Sequence, residues 1–469
     1  KAVELFSFTD YEREFGGFYR GTALDESVPN AVNQFFLNGG AQAYVVGLEP
    51  ANYPAGQALT SPPSSFLEAI EPTDPIPIEV AIVPNTAGDT ADITITYGQR
   101  TPEIYRGVSV NEKIGSPPAD NPDYVKTRLA GSAYVTVGTP PSTFVATGNT
   151  PLELKSFITV TTTFQAADFQ AVFQTDSDLD KLPIFNILVL PGVIESSVLS
   201  TALAFAERKR AFMILDPPPN SVAGQSADST HTTVTDYMDK KAPKSPNGAL
   251  YFPYVKTTDP VTGLAFVDDD KKVPFSLPPS GYVAGIYART DNNRGVWKAP
   301  AGLETTLLNT TGVVDDGRMN DLRQGVLNLA GINCLRTFPG IGTVTFGART
   351  LVSANAAYEQ WKYVPVRRIA LFIEQTLYRN LGWAVFEPND EPLWLALRTS
   401  VENFMLSLFN NGAFQGSKPS EAFLVRCDST TTTQTDINLG VVNIIVAFAP
   451  LKPAEFVIVK IAQLAGQAQ

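Results

Sequence analysis

Two unbroken apolar runs, with one amphipathic stretch between them, constrain this chain more than any other feature. "FNILVLPG" from Phe185 and "AFMILDPPP" from Ala211 are strand-length segments, and "SSVLSTALAFAERKR" between them carries apolar residues at helical spacing. A strand that is apolar throughout, rather than alternately, belongs to a sheet covered on both faces. Strand, helix and strand in succession then make parallel neighbours, so the expected class is α/β with a mixed or largely parallel core sheet.

The same pattern continues downstream. "PPSGYVAGIYARTD" begins a helix with prolines in its first turn and sets Val283, Ile286 and Tyr287 on one stripe. "RMNDLRQGVLNLAG" reads as a further helix, and "INCLRTF" and "GTVTFGARTL" as strands. Near the start, "KAVELFSF" reads as a strand and "VPNAVNQFFLNGG" as a helix with Val28, Val32, Phe35 and Phe36 on one face. With the strand "AQAYVVGLEP" they form a βαβ-like opening that breaks off at Pro50.

From Asn52 to Leu182 the composition turns to Pro, Thr, Ser and Gly, with short alternating runs such as "ADITITY" and "AYVTV". This predicts an inserted all-β domain. Beyond Val364, "VRRIALFIEQTLYRNLG" places Ile369, Ile373, Leu377 and Leu381 at helical spacing with Gly382 as C-cap. "NDEPLWLALRTSVENFMLSLFNNG" has an Asn389 cap, an acidic first turn and Gly412 as its stop. The strands "EAFLVRCDS", "INLGVVNIIVAFAP" and "AEFVIVKIAQ" follow. At 469 residues about three domains are expected. The boundaries read as 1–50 and 183–350 for the α/β core, 51–182 for the insertion, and 351–469 for a C-terminal α+β domain with a terminal arm at 452–469.

Composition excludes several functions. With 35 basic and 47 acidic residues the net charge is -12, against the basic face that a phosphate-backbone binder needs. No apolar run reaches the roughly 20 residues of a membrane-spanning helix. Charged residues are only 17% of the chain, an uncharged surface of the kind that partners bury. Cys334 and Cys427 read as buried, inert thiols and a reduced folding compartment. The start at Lys1 without a Met leads us to expect a missing leading segment.

Catalytic and metal chemistry finds little support. His231 is the single histidine and stands without a G-x-S-x-G elbow. "DDDKK", Asp268 to Lys272, lacks the alternating spacing of a calcium loop, and "DNNRG" lacks the glutamate that would complete one. No cofactor or metal is expected, and the chain does not read as an enzyme. "RTDNNRGVWKAPAG", Arg289 to Gly302, is the least ordinary stretch. Locally it reads as a helix exit over Asp291 to Gly295, with Arg294 satisfying exposed carbonyls, Trp297 as an apolar plug and "APAG" as a stiff departure. The competing reading is direct contact with a neighbouring subunit, because interfaces favour Arg and Trp.

"SGYVAGIYARTDNNRGVWKAPAG" resembles the signature segment of contractile tail sheath proteins from myovirus-type phages, R-type pyocins and extracellular injection systems. "FSFTDYEREFGG" and "AVNQFFLNGGAQAYVVGL" near the start agree, as does "WKYVPVRRIALFIEQTLYRNLGWAVFEPNDEPLWLALRTSVENFMLSLFNNGAFQG" near the end. The resemblance implies a structural subunit stacked in six-fold rings around an inner tube, contracting from a metastable extended state to drive the tube through a target envelope. It implies partners in its own copies, the inner tube protein, and baseplate and terminal cap proteins. It also implies assembly in the cytoplasm of a producing bacterium, before release as a virion tail or an injection particle.

The signature residues carried over are Arg289, Asp291, Arg294, Gly295, Trp297, Lys298 and Pro300. Terminal arms of the family add strands to neighbouring subunits, which assigns that role to Glu455, Phe456, Val457, Ile458, Val459, Lys460 and Ile461. Here Phe456, Ile458 and Lys460 alternate with Val457, Val459 and Ile461, and such a strand must pair its open backbone groups. The N-terminal arm that precedes the match to Val3–Gly17 in the family is not in this sequence. The two-chain sheaths of type VI secretion fit less well, because both ends lie on one polypeptide. The alternatives are a surface adhesin built on the Thr-rich β region and, more distantly, a carboxylate hydrolase.

Overall fold

The apolar runs that begin at Phe185 and Ala211 become neighbours in a five-stranded sheet. The structure, a computed structural model, describes residues 2–18, 27–48, 66–70, 77–98, 100–148, 150–154, 165–219, 233–268, 273–314 and 319–455. Contacts divide the chain into two compact units. One holds Lys1–Phe36, Ala41–Pro183 and Asp259–Phe266; the other holds Leu37–Gly40, Ile184–Thr258 and Val267–Gln469.

In the second unit the strands Ile187–Val189, Phe212–Leu215, Gly248–Phe252 and Ile332–Phe338 run parallel, in sequence order. Gly342–Thr345 closes the edge antiparallel. Phe212–Leu215 and Gly248–Phe252 are buried at every residue, the double-sided coverage that their unbroken apolarity predicts. The helix Ser280–Arg294, called the signature helix below, packs on Ile187–Val189 and Phe212–Leu215. Its Val283, Ile286 and Tyr287 are fully buried. The strand order has no reversal, and reversal points are where sheets of this kind form ligand crevices.

Asp216, just past the strand Phe212–Leu215, fixes the start of that helix. Its buried carboxylate accepts from the Ser280 backbone N–H at 2.8 Å and the Ser280 hydroxyl at 2.6 Å. The Gly192 N–H donates to it as well, at 2.9 Å. One side chain thus serves orphan donors of a helix N-terminus and of a neighbouring loop.

The C-terminal part is built on the helices Val364–Asn380 and Glu391–Asn410. Ile369, Ile373, Val401, Met405 and Leu408 form its core, and Leu377 and Leu381 pack on that core partly buried. An antiparallel ribbon of Phe423–Arg426 and Ile445–Phe448 covers it, in a register that pairs Phe423 with Phe448 and Arg426 with Ile445.

In the first unit, Ile78–Pro84, Thr90–Tyr97, Glu103–Ser109 and Leu152–Leu154 make a four-stranded antiparallel sheet over a core of Val80, Ile82, Ile93 and Ile95.

Several local expectations are corrected. Ala2–Leu5 pairs antiparallel with Ala43–Val46 across two helices, Phe8–Phe15 and Ser27–Leu37, so the opening is not βαβ. The Asn52–Leu182 region is not all-β, because it contains the helices Val125–Arg128 and Ala166–Val172, too short to show a helical period. Asp390, not Asn389, caps Glu391–Asn410, its carboxylate accepting the Glu391 N–H at 2.8 Å. Asn389 instead accepts from the Trp394 indole at 2.8 Å.

The helix Val364–Asn380 closes at Leu381 without a left-handed glycine, and Gly382 begins a 3-10 turn. Part of "INLGVVNIIVAFAP" is helical, because Thr433 and Asp436 form a reciprocal capping box for Gln434–Asn438. Cys334 and Cys427 are buried and form no disulfide. No helix among the described residues is long and apolar enough to cross a membrane.

Replacing Asp216 by Ala strands buried backbone donors at the start of the signature helix. We expect a loss of about 3 kcal/mol in urea unfolding, with secondary structure retained below the transition.

Candidate assembly site

The signature residues contact several other elements of the chain. The helix runs on to Arg294, so Asp291 and Arg294 are its last turn and not turn residues of an exit. Gly295 ends it at φ +88, and a Cβ there would lie 2.4 Å from the Trp297 ring. Only glycine both takes that backbone and admits the indole. Trp297 is half-buried against the C-terminal core with Val296, so the expected plug is partial.

Asp291 meets Arg368, which lies 77 residues on, in the helix Val364–Asn380. Both guanidinium arms donate to the carboxylate, at 2.7 and 2.5 Å. Arg368 is 4% exposed and also lies 4.6 Å above the Tyr287 ring. The Tyr287 and Tyr251 hydroxyls pair at 2.8 Å, and burial pushes both above the usual tyrosine value. Burial alone would weaken the charge on Arg368, but Asp291 outweighs it and holds the guanidinium above its ordinary value.

Arg294 has a different role. One of its nitrogens reaches both Glu304 oxygens, at 3.0 and 2.7 Å, and each side chain is more than half exposed. It caps no carbonyl. Lys298 approaches Glu304 at 3.3 Å and donates to the Ala299 carbonyl at 3.0 Å. Arg289 donates to the Thr306 carbonyl at 2.6 Å, and burial lowers its ordinary value. The Pro300 carbonyl accepts the Thr345 hydroxyl at 2.6 Å.

A cleft of about 850 Å³ brings this segment and the C-terminal exit together, with Arg294, Trp297, Lys298, Lys452 and Glu455 among its lining residues. Glu455 is seated in a socket. Arg349 donates Nε at 2.8 Å and Nη2 at 2.6 Å to its two oxygens. The Asn328 amide and the Tyr363 hydroxyl donate at 3.2 Å each. Burial pushes the carboxyl up, yet the Arg349 hydrogen bonds and charge, aided by Asn328 and Tyr363, leave it below the ordinary glutamate value. Of the seven residues assigned to the inter-subunit strand, Glu455 makes these contacts within the chain, and Phe456 to Ile461 lie outside the described residues.

The ribbon is the other open element. Phe423, Val425, Val446 and Phe448 face the C-terminal core, while Leu424 and Ile445 on the opposite face are 50% and 52% exposed. Among the described residues it has two strands.

His231 and Asp269 to Lys272 lie outside the described residues. No group of three or more potential ligands that could hold a metal occurs among the described residues.

Two family models, the phage tail sheath protein central domain and the phage tail sheath C-terminal domain, match residues 178–351 and 357–463. Together they span more than half of the chain. The chain belongs to the phage tail sheath family. The C-terminal match runs through Ile461 and so includes the arm segment. A tail sheath protein of Vibrio phage KVP40 is 23% identical over 305 residues, 61% of this chain and 42% of that protein. The chain spans less than two thirds of the length of the curated relatives it matches.

Among solved structures, a chain of the anti-feeding prophage baseplate is 30% identical, with a TM-score of 0.52 over 64% of this chain and 75% of that one. A sheath of the extracellular contractile injection system PVC, in the contracted state, shares the fold at 21% identity. Its TM-score is 0.56, over 99% of this chain and 86% of that one.

Arg368 and Arg349 were not singled out from the sequence. Arg368 carried a usable signal: it follows Val364 by four residues and precedes Leu371 by three, on a stripe that is otherwise apolar. A charge there demands a buried partner. Arg349 and its carboxylate, 106 residues apart, had no such signal.

Asp291→Ala leaves Arg368 buried and unpaired, and we expect it to cost about 3–5 kcal/mol in denaturant unfolding of the monomer. Arg294→Ala, at an exposed pair, should cost less than about 1 kcal/mol in the same assay.

Proposed function

We propose that this chain is a structural subunit of a contractile sheath, stacked with its own copies in six-fold rings around an inner tube and acting without chemistry of its own. Contraction from a metastable extended state drives the tube through a target envelope. Residues 51–182 form an outward decoration, and residues 351–469 lie toward the tube. Baseplate and terminal cap proteins complete the particle, which assembles in the cytoplasm of the producing bacterium.

One observation of this chain carries the reading: the two-stranded ribbon of Phe423–Arg426 and Ile445–Phe448, with Leu424 and Ile445 exposed. The ribbon is held by the helices it packs on, and the outer edge of a two-stranded ribbon is a template for a further strand. The segment from Phe456 to Ile461 reads in sequence as such a strand. Its pairing with the ribbon of a neighbouring copy would satisfy both. Membership of the sheath family and the likeness to a baseplate chain solved with six-fold symmetry support self-association.

A chain ending at Glu455 keeps its socket and loses only the strand. We expect its monomer to melt like the full chain and to form no tubes by electron microscopy. Tubes at full yield from this truncation would defeat the strand-exchange reading.

A further inference from the structure

The seat of Glu455 sets a boundary within the C-terminal exit. Upstream, the chain is held to the ribbon: the Ala449 N–H donates to the Ala422 carbonyl at 2.8 Å, and the Gln415 N–H to the Ala449 carbonyl at 2.9 Å. Pro450 continues that hold in an antiparallel bridge to Phe414, and the next hold shown is at Glu455, five residues on, through a carboxylate that receives donors from Arg349, Asn328 and Tyr363. Between the two holds lies the stretch "LKPA", Leu451 to Ala454, whose Leu451, Lys452 and Ala454 are exposed.

The socket is itself fixed. Arg349 is nearly fully buried, and its third arm donates to the Asn328 carbonyl at 2.8 Å. Its backbone exchanges two hydrogen bonds with the Asn333 side chain in the central strand Ile332–Phe338, at 2.6 and 2.8 Å. The carboxylate is therefore tied to the sheet of the α/β body, while the ribbon it comes from belongs to the C-terminal core.

We infer that the Arg349–Asn328–Tyr363 socket is the register pin of the C-terminal arm: by seating Glu455 it fixes which residue of the arm is first to leave the subunit, and hence which face each later residue presents. Glu455 is a positioning residue; it is not itself part of the exchanged strand. This rests on the strand-exchange reading above and adds a mechanical consequence. A side-chain period of two makes a one-residue slip turn every arm side chain over, exchanging Phe456, Ile458 and Lys460 for Val457, Val459 and Ile461. Without a fixed starting residue the strap, which can span at most about 20 Å, would let the strand slide. Pulling on the arm during contraction would then load the socket, and through Asn333 the sheet, before it reached the ribbon.

The test compares insertions on either side of the pin. One Ala between Leu451 and Lys452 lengthens the strap and leaves Glu455 seated; one Ala between Glu455 and Phe456 shifts the arm by one residue. We expect near-normal tube yield by sedimentation and microscopy from the first and at least a tenfold loss from the second, with both monomers melting alike. Two Ala residues at the second site restore the facing and recover part of the yield. In a Glu455→Ala background the two single insertions should become alike, because no acceptor remains for the socket donors. Equal effects of the two single insertions in the parent chain overturn the inference and leave the sheath reading standing. A parent chain that forms no tubes overturns the sheath reading, and the inference falls with it.

Discussion

The pair between Arg368 and Asp291 holds the second unit to a single design. It joins the last turn of the signature helix to the first turns of the helix Val364–Asn380, and so ties the α/β sheet to the C-terminal core. A guanidinium this deeply buried is tolerable only when its partner is in place, so the two halves stay in one arrangement or the charge is left bare. The Tyr287 ring beneath it and the Tyr251 hydroxyl beyond extend the contact into the sheet. In the sheath subunit proposed above such a joint would keep a hinge from absorbing the movement.

Around that joint the chain separates what is fixed from what is offered. The signature segment pairs its polar groups within the chain, buried at Asp291 on Arg368 and exposed at Arg294 on Glu304, with Arg289 on Thr306 and Lys298 on Glu304. What remains open at the ribbon, among the described residues, is apolar surface at Leu424 and Ile445.

The sheet was legible because burial on both faces leaves no alternative to an apolar run, as in "FNILV" and "AFMIL". Helices long enough to repeat their stripe were legible for the same reason: Val283, Ile286 and Tyr287, or Ile369 and Ile373, can only face a core. Features decided by one residue were not. Asp390 took the cap from Asn389, whose amide is drawn to Trp394 and Val441. Thr433 and Asp436 made a helix inside a segment apolar enough to read as strand.

The direction of Ala2–Leu5 against Ala43–Val46 depends on where two intervening helices return the chain, which no local pattern records. The site was legible as a segment but not as an arrangement. The partners of Asp291 and Glu455 stand 77 and 106 residues away, and only the fold brings them together.

A cryo-EM map of the assembled full-length protein shows most directly whether a terminal strand weaves each rigid subunit to its neighbours. We expect helical tubes in which density leaves the seated Glu455 and continues as a strand along the Phe423–Arg426 and Ile445–Phe448 ribbon of another copy, with Asp291 still on Arg368. A map in which the segment after Glu455 folds back onto the ribbon of its own chain, or particles that stay monomeric, would contradict it.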